Sequence, residues 1–117
     1  MPNINSTQFG SVVIDNKKYN QVLIINDSII ERDYNKLEEL FGTSHKIGNW
    51  ERDELLKGNP EAIIIGTGQS GAMEVDQDFI GFMKEKNIEV IIAKTLEAIE
   101  IYNKQNKKVN ALIHTTC

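Results

Sequence analysis

Residues 60–74 read PEAIIIGTGQSGAME, and the fold turns on how the chain enters and leaves this stretch. Glu61–Ile65 is an apolar run without polar alternation, the pattern of a strand covered on both faces. Pro60 ahead of it prevents a preceding helix from continuing. Gly66, Gly68 and Gly71 then fall at the spacing of a dinucleotide-binding fingerprint. That fingerprint needs a helix opening inside the motif, so that its first amides meet a pyrophosphate. Here helical periodicity resumes only near Asp76 or Asp78, and Met73, Glu74 and Val75 make no first turn. An acidic residue is also required roughly 20 positions on, at the end of the next strand. Glu89 stands near that count but begins its strand, whose far end carries Lys94. No Gly-Lys-Ser/Thr follows, which excludes a Walker loop. The stretch predicts a strand and a sharp turn, with a helix starting later, and no nucleotide cofactor.

Downstream, Asp76 or Asp78 caps a helix through Lys86 whose apolar face is Phe79, Ile80, Phe82 and Met83. Ile88–Lys94 reads as a second buried strand, and Ala72–Val75 as a brief extended segment. Thr95 caps a helix over LEAIEIYNKQN (96–106), with Glu97 in the first turn and a core stripe of Leu96, Ala98, Ile99 and Tyr102. Lys108–His114 is a closing strand. Upstream, Asn49 caps WERDELLK (50–57), which Gly58 stops, and Asn35–Gly42 forms one or two helical turns. The first third reads as antiparallel strands at Phe9–Asp15, Tyr19–Asn26 and Ser28–Asp33, joined by turns at Asp15-Asn16 and Asn26-Asp27. The sum is an α/β fold in a single domain spanning 1–117. Its sheet is mixed, with N-terminal antiparallel hairpins and flanking helices, and right-handed crossovers are expected in the second half.

The composition suits a soluble globular chain: 117 residues, 40% hydrophobic and 26% charged. Thirteen basic against 17 acidic residues give a net charge of −4, which argues against nucleic acid as a partner. The one basic cluster, Lys104, Lys107 and Lys108, lies where it complements a helix C-terminus. Cys117 is the only cysteine, so no internal disulfide framework forms, and it is read as a small buried thiol. No apolar run approaches the roughly 20 residues of a membrane span. MPNINSTQFG lacks a signal core, so a cytoplasmic location is expected and the sequons at Asn5 and Asn26 are chance matches.

Two polar loops carry the candidate chemistry. The strand end at Gly66, Thr67, Gly68, Gln69, Ser70 and Gly71 offers exposed amides and two hydroxyls. It is either a plain turn or a cradle for an anion or carboxylate. Ser44, His45 and Lys46 form the most reactive-looking triplet, and ligand sites of α/β sheets gather beyond strand ends. The two loops are therefore expected either to line a shared pocket, with His45 meeting Ser70 or His114, or to be unrelated structural turns. Sequence neighbours do not make a serine–histidine pair, so no catalytic residue is assigned. His114 and Cys117, even with His45, fall short of a tetrahedral zinc set, and no metal is expected.

FGTSHKI (41–47), IIIGTGQSGAME (63–74), EAIEIYN (97–103) and VNALIHTTC (109–117), together with the opening FGSVVIDNKKY (9–19), resemble the adipogenesis-associated MTH-type domain family. Its relatives include a mitochondrial complex I assembly factor. The resemblance covers nearly the whole chain and implies one α/β domain with a mixed sheet. It implies no reaction and no catalytic residues to carry across. Eukaryotic members are described as regulatory or assembly factors, which implies a non-catalytic module with a protein partner or self-association. The alternative is a small-molecule binder or minor enzyme built on the two loops. GNWERDELL (48–56) departs from the family pattern, leaving Trp50 as a core anchor or a partner contact.

Overall fold

Left-handed turn residues organise the N-terminal third of the computed structural model, which describes residues 1–117. Asp15 and Asn16 take φ of 47° and 67°, the paired positive values of a two-residue hairpin turn. They join β2 (Ser11–Ile14) to β3 (Lys17–Tyr19). Ahead of β2 lies a strand that the sequence reading missed, β1 (Ile4–Gln8). Phe9 is no strand residue. It sits at the tip of the β1–β2 turn, 68% exposed, because Gly10 reverses the chain at φ 85°. β1, β2 and β3 form an antiparallel sheet in that order.

The run expected as one strand over Tyr19–Asn26 is broken at Asn20-Gln21. Its first part closes the small sheet, and β4 (Val22–Ile25) enters the main one. Asn26, at φ 54°, turns β4 into β5 (Ser28–Glu31). α1 (Tyr34–Phe41) follows, with the Asp33 carboxylate accepting from the Lys36 N–H and Gly42 ending it in the left-handed conformation. α2 (Asn49–Leu55) starts one residue earlier than expected, with Gly48 rather than Asn49 at the cap. Glu51 determines this, since its carboxylate reaches back to the Gly48 N–H at 3.0 Å. The remaining elements are β6 (Ala62–Thr67), α3 (Gln77–Glu85), β7 (Glu89–Ala93), α4 (Thr95–Asn103) and β8 (Val109–His114).

The main sheet runs β5-β4-β8-β6-β7. β6 is parallel to both neighbours, while β4 is antiparallel to β8 and β5. This is the mixed sheet with antiparallel hairpins and flanking helices that the sequence predicts. The isoleucine run of β6 explains itself here. Ile64 points into a layer with α4 and the small sheet (Ile4, Ile14, Tyr102), while Ile63 and Ile65 point into the opposite layer with α2 and α3 (Leu55, Phe79, Met83). A central strand buried on both faces has no polar face to show.

Several expectations are corrected. β7 is an edge strand, not a buried one, and Ile92 is 45% exposed. Ala72–Val75 forms no strand, although Met73 packs into the layer with α2 and α3. Thr95 does not cap α4. Lys94 holds the cap position, and the Thr95 hydroxyl turns toward β8. Leu96 is exposed, whereas Ala98, Ile99 and Tyr102 are core as predicted. Cys117 is exposed rather than buried.

Candidate functional site

β5, β6, β7 and β8 all end at one edge of the main sheet, and the antiparallel β4 begins there. Chain direction alone therefore brings together Gln21, Arg32, the Gly66–Gly71 loop, Thr95 and His114. Arg32 is the centre of this group. Its guanidinium forms a bidentate pair with Glu51, Nε to Oε2 at 2.6 Å and Nη2 to Oε1 at 2.9 Å, and both side chains are buried. Its remaining N–H groups donate to Gln21 Oε1 at 2.7 Å and to the carbonyls of Ser44 (3.0 Å) and Lys46 (2.7 Å). The 43–46 loop is thus held by its backbone on a buried charge. A desolvated ion pair is tolerated only when its other hydrogen-bonding sites are filled, as they are here.

Gln21 extends the network. Its amide nitrogen donates to the Tyr34 hydroxyl at 2.5 Å and contacts Ser44 Oγ at 3.4 Å. Its oxygen also meets His114 Nδ1 at 2.6 Å. The His114 ring contacts the Thr116 hydroxyl through Nε2 at 3.2 Å and stands edge-on to His45, with centroids 4.9 Å apart. Burial, followed by the charge of Arg32 and the proximity of His45, pushes the His114 pKa down from 6.5 to about 4. His114 is a neutral structural donor at neutral pH, not a poised base.

The glycine loop is occupied by the chain itself. The Gln69 N–H donates to the Thr116 carbonyl at 2.7 Å. The N–H groups of Ser70 (3.0 Å) and Ala72 (2.9 Å) and the Ser70 hydroxyl (2.6 Å) converge on the main-chain oxygen of Cys117. The Gln69 side chain reaches Thr7, Gln8 and Thr115, tying the small sheet to the same tail. α3 packs on one face of the sheet and α4 on the other, so a ligand crevice would open between the ends of β6 and β7. It is stitched shut. Thr67 Oγ1 donates to the Ala93 carbonyl at 3.0 Å, the Gly68 N–H to Thr95 Oγ1 at 2.8 Å, and the Thr95 N–H to the Gly68 carbonyl at 3.0 Å.

The two predicted loops do approach each other. The Glu74 N–H donates to the His45 carbonyl at 3.3 Å, and His114 lies between His45 and Gly68. Ser70 bonds the Cys117 oxygen, and the Lys46 side chain is exposed. None of the four surface concavities is lined by Ser44–Lys46 or Gly66–Gly71. Sequence reasoning passed over Arg32 and Gln21. The only local signal was a charged and an amide residue abutting apolar strands, where burial is imminent.

The model of a family described as a protein of unknown function (DUF498/DUF598) matches residues 4–114. A conserved hypothetical protein from Pyrococcus horikoshii OT3 shares 27% identity and superposes with a TM-score of 0.85, over 98% of this chain and 99% of its own. The protein MT938 shares 30% identity with a TM-score of 0.78, both chains being covered completely. An outer membrane protein from Bartonella henselae, 17% identical, has a TM-score of 0.78 over 99% of this chain and 96% of its own, a likeness of fold alone. No helix of the present chain is long and apolar enough to cross a membrane.

Proposed function

The chain belongs to the DUF498/DUF598 family of unknown function, and from that premise we propose that it is a non-catalytic module that engages a protein partner. Within that family we place it with the adipogenesis-associated MTH-type domains, acting in the cytoplasm as one domain over 1–117. One observation carries the reading: three exposed large apolar residues share the single helix α1, beside the half-buried Trp50 of α2, while the polar residues at the sheet end mostly bond one another. Leu40 is 58% exposed, and Tyr34 and Phe41 are also open to solvent. Phe41 stacks on Trp50 with centroids 6.4 Å apart, and Lys36 Nζ lies 4.3 Å over the Trp50 ring. Trp50 is half-buried and belongs to neither core cluster, which supports its reading as a partner contact over that as a core anchor. Aromatic residues on a rigid helical surface are the usual anchors of protein interfaces.

The experiment compares tagged wild-type protein with a Leu40→Glu variant, which changes only an exposed position. Wild type retains specific partners from native lysate and the variant loses them. A metabolite panel that raises Tm while no partner is retained overturns the reading. A second reading rests on the loop amides. Gln69, Ser70 and Ala72 already grip main-chain oxygens, and a small carboxylate or anion would take that place if Thr116 and Cys117 withdrew.

A further inference from the structure

We propose that the open edge of β5 accepts an added strand from an extended, lysine- or arginine-bearing segment of a protein partner. The inference rests on the interaction reading above and names both the surface and the chemistry of its occupant. β5 terminates the main sheet. The Arg32 N–H donates to the Gln21 carbonyl, and the antiparallel register pairs Leu23 with Ile30 and Ile25 with Ser28. Hydrogen-bonded pairs alternate along such a ladder, so Ser28, Ile30 and Arg32 face β4 while the N–H and C=O groups of Ile29 and Glu31 point outward. They are a ready template for another strand.

A groove of about 290 Å³ opens beside this edge, its floor made by Leu23, Ile30 and Trp50. Its rim carries Glu31, Asp33 and Glu54 against Lys36 alone, because Arg32 and Glu51 neutralise each other in the floor. Glu54 is shared with Lys57, but neither Glu31 nor Asp33 has an ion-pair partner. A groove lined in part by apolar side chains, with Glu31 and Asp33 unpaired at its rim, fits a strand that alternates apolar and basic residues. The same charges disfavour a second copy of this chain. Antiparallel self-pairing of β5 centred on Ile29, Ile30 or Glu31 would set Asp27 against Glu31, Asp27 against Asp33, or Glu31 against its own copy, and like charges facing across a ladder are destabilising.

Trp50 is the only tryptophan and sits in the groove, so it reports occupancy directly. The probe is a blocked synthetic peptide of alternating lysine and valine, titrated at low and high salt. Expected are a saturable change in Trp50 fluorescence, NMR shifts at the Ile29 and Glu31 amides, and binding that weakens with salt. A glutamate-for-lysine peptide gives none of these, and neither does one N-methylated at alternate residues. Glu31→Lys combined with Asp33→Asn, which keeps the cap oxygen of α1, weakens binding by at least about tenfold. Several results overturn the proposal: no saturable binding, equal binding of the acidic peptide, or a concentration-dependent dimer through this edge in sedimentation. If the double variant keeps every lysate partner that Leu40→Glu loses, the edge proposal falls while the interaction reading stands.

Discussion

Arg32 and His114 meet on a single atom, the side-chain oxygen of Gln21, which lies 2.7 Å from the guanidinium nitrogen and 2.6 Å from His114 Nδ1. Arginine only donates, so this atom is the amide oxygen, and His114 must present a proton on Nδ1. Nε2 is then free to accept from the Thr116 hydroxyl. A second proton on the ring would break that contact and add charge beside Arg32.

The pH dependence of stability follows with a definite sign. His114 binds its proton near 6.5 when unfolded and only near 4 when folded. Above 6.5 both states are neutral and the contribution is complete. As pH falls from 6.5 to 4 the unfolded state takes up a proton that the native state refuses. Stability therefore declines across that window, by at most ~1.4 kcal/mol per pH unit, and levels below it. Urea unfolding across pH 4 to 7 is expected to show this slope. His114→Asn, whose amide can still donate to Gln21, is expected to flatten it. An unchanged slope in the variant would place the titration elsewhere.

The Arg32–Glu51 pair is expected to behave as a unit. Removing one partner leaves a buried charge uncompensated, at ~3–5 kcal/mol. Arg32→Met is the more damaging change, since Gln21, Ser44 and Lys46 also lose their donor. Glu51→Leu additionally releases the Gly48 N–H. The double variant removes both charges together and is expected to be less destabilised than the sum of the singles, with coupling above ~1.5 kcal/mol. A thermal-denaturation cycle measures it, and additive effects would mean that the two charges are not mutually desolvated.

Local chemistry made most of the fold legible. Asp15-Asn16 and Asn26-Asp27 announce their turns because few residues tolerate positive φ, and Gly42 ends α1 for the same reason, whereas α2 stops at Leu55 with a right-handed cap at Leu56, ahead of the expected stop at Gly58. Unbroken isoleucines in β6 can only mean burial on both faces. What escaped depends on partners distant in sequence. Nothing in EVIIA distinguishes an edge strand from a central one, because strand order is a property of the crossovers. Thr95 has the chemistry of a cap, yet Gly68 and His114, 27 and 19 residues away, claim its hydroxyl. The late start of the helix after the glycine loop was legible, and α3 begins at Gln77. That its amides would grip Thr116 and Cys117 was invisible, since the contact spans 47 residues.

Gly68 and Gly81 are expected to respond oppositely to alanine. Gly68 holds φ at +108°, where side-chain-bearing residues are strained, and a Cβ would collide with the Cys117 main chain and lie 2.9 Å from the His114 ring. Gly68→Ala should cost at least ~2 kcal/mol and speed amide exchange at Gln69, Ser70 and Ala72 as the tail is displaced. Gly81 lies within α3 with open space around a built Cβ. Gly81→Ala should stabilise by ~0.5–1 kcal/mol through better helix propensity. Equal effects at the two sites would mean that the tail does not press on Gly68.

Tyr102 ties the last helix to the first residues of the chain. It is fully buried, and its hydroxyl donates to the Pro2 carbonyl at 3.0 Å. Burial above all, with Asp15 and Asp27 adding to it, pushes its pKa up to about 12. The sign is the reverse of the histidine case in pH but identical in logic. The unfolded chain releases the phenolic proton near 10 while the native state holds it to about 12, so stability is complete below 10 and falls between those values. Tyr102→Phe leaves the Pro2 carbonyl without its donor and should cost ~1–2 kcal/mol at neutral pH. In exchange, the variant should lose the alkaline decline that wild type shows, and the difference between their tyrosinate absorbance titrations should isolate one late-ionising phenol. If wild type and variant decline together above pH 10, the Tyr102 hydroxyl is not sequestered, and the hydrogen bonds that hold the N-terminal strand to α4 are those of Asn103 to Ile4.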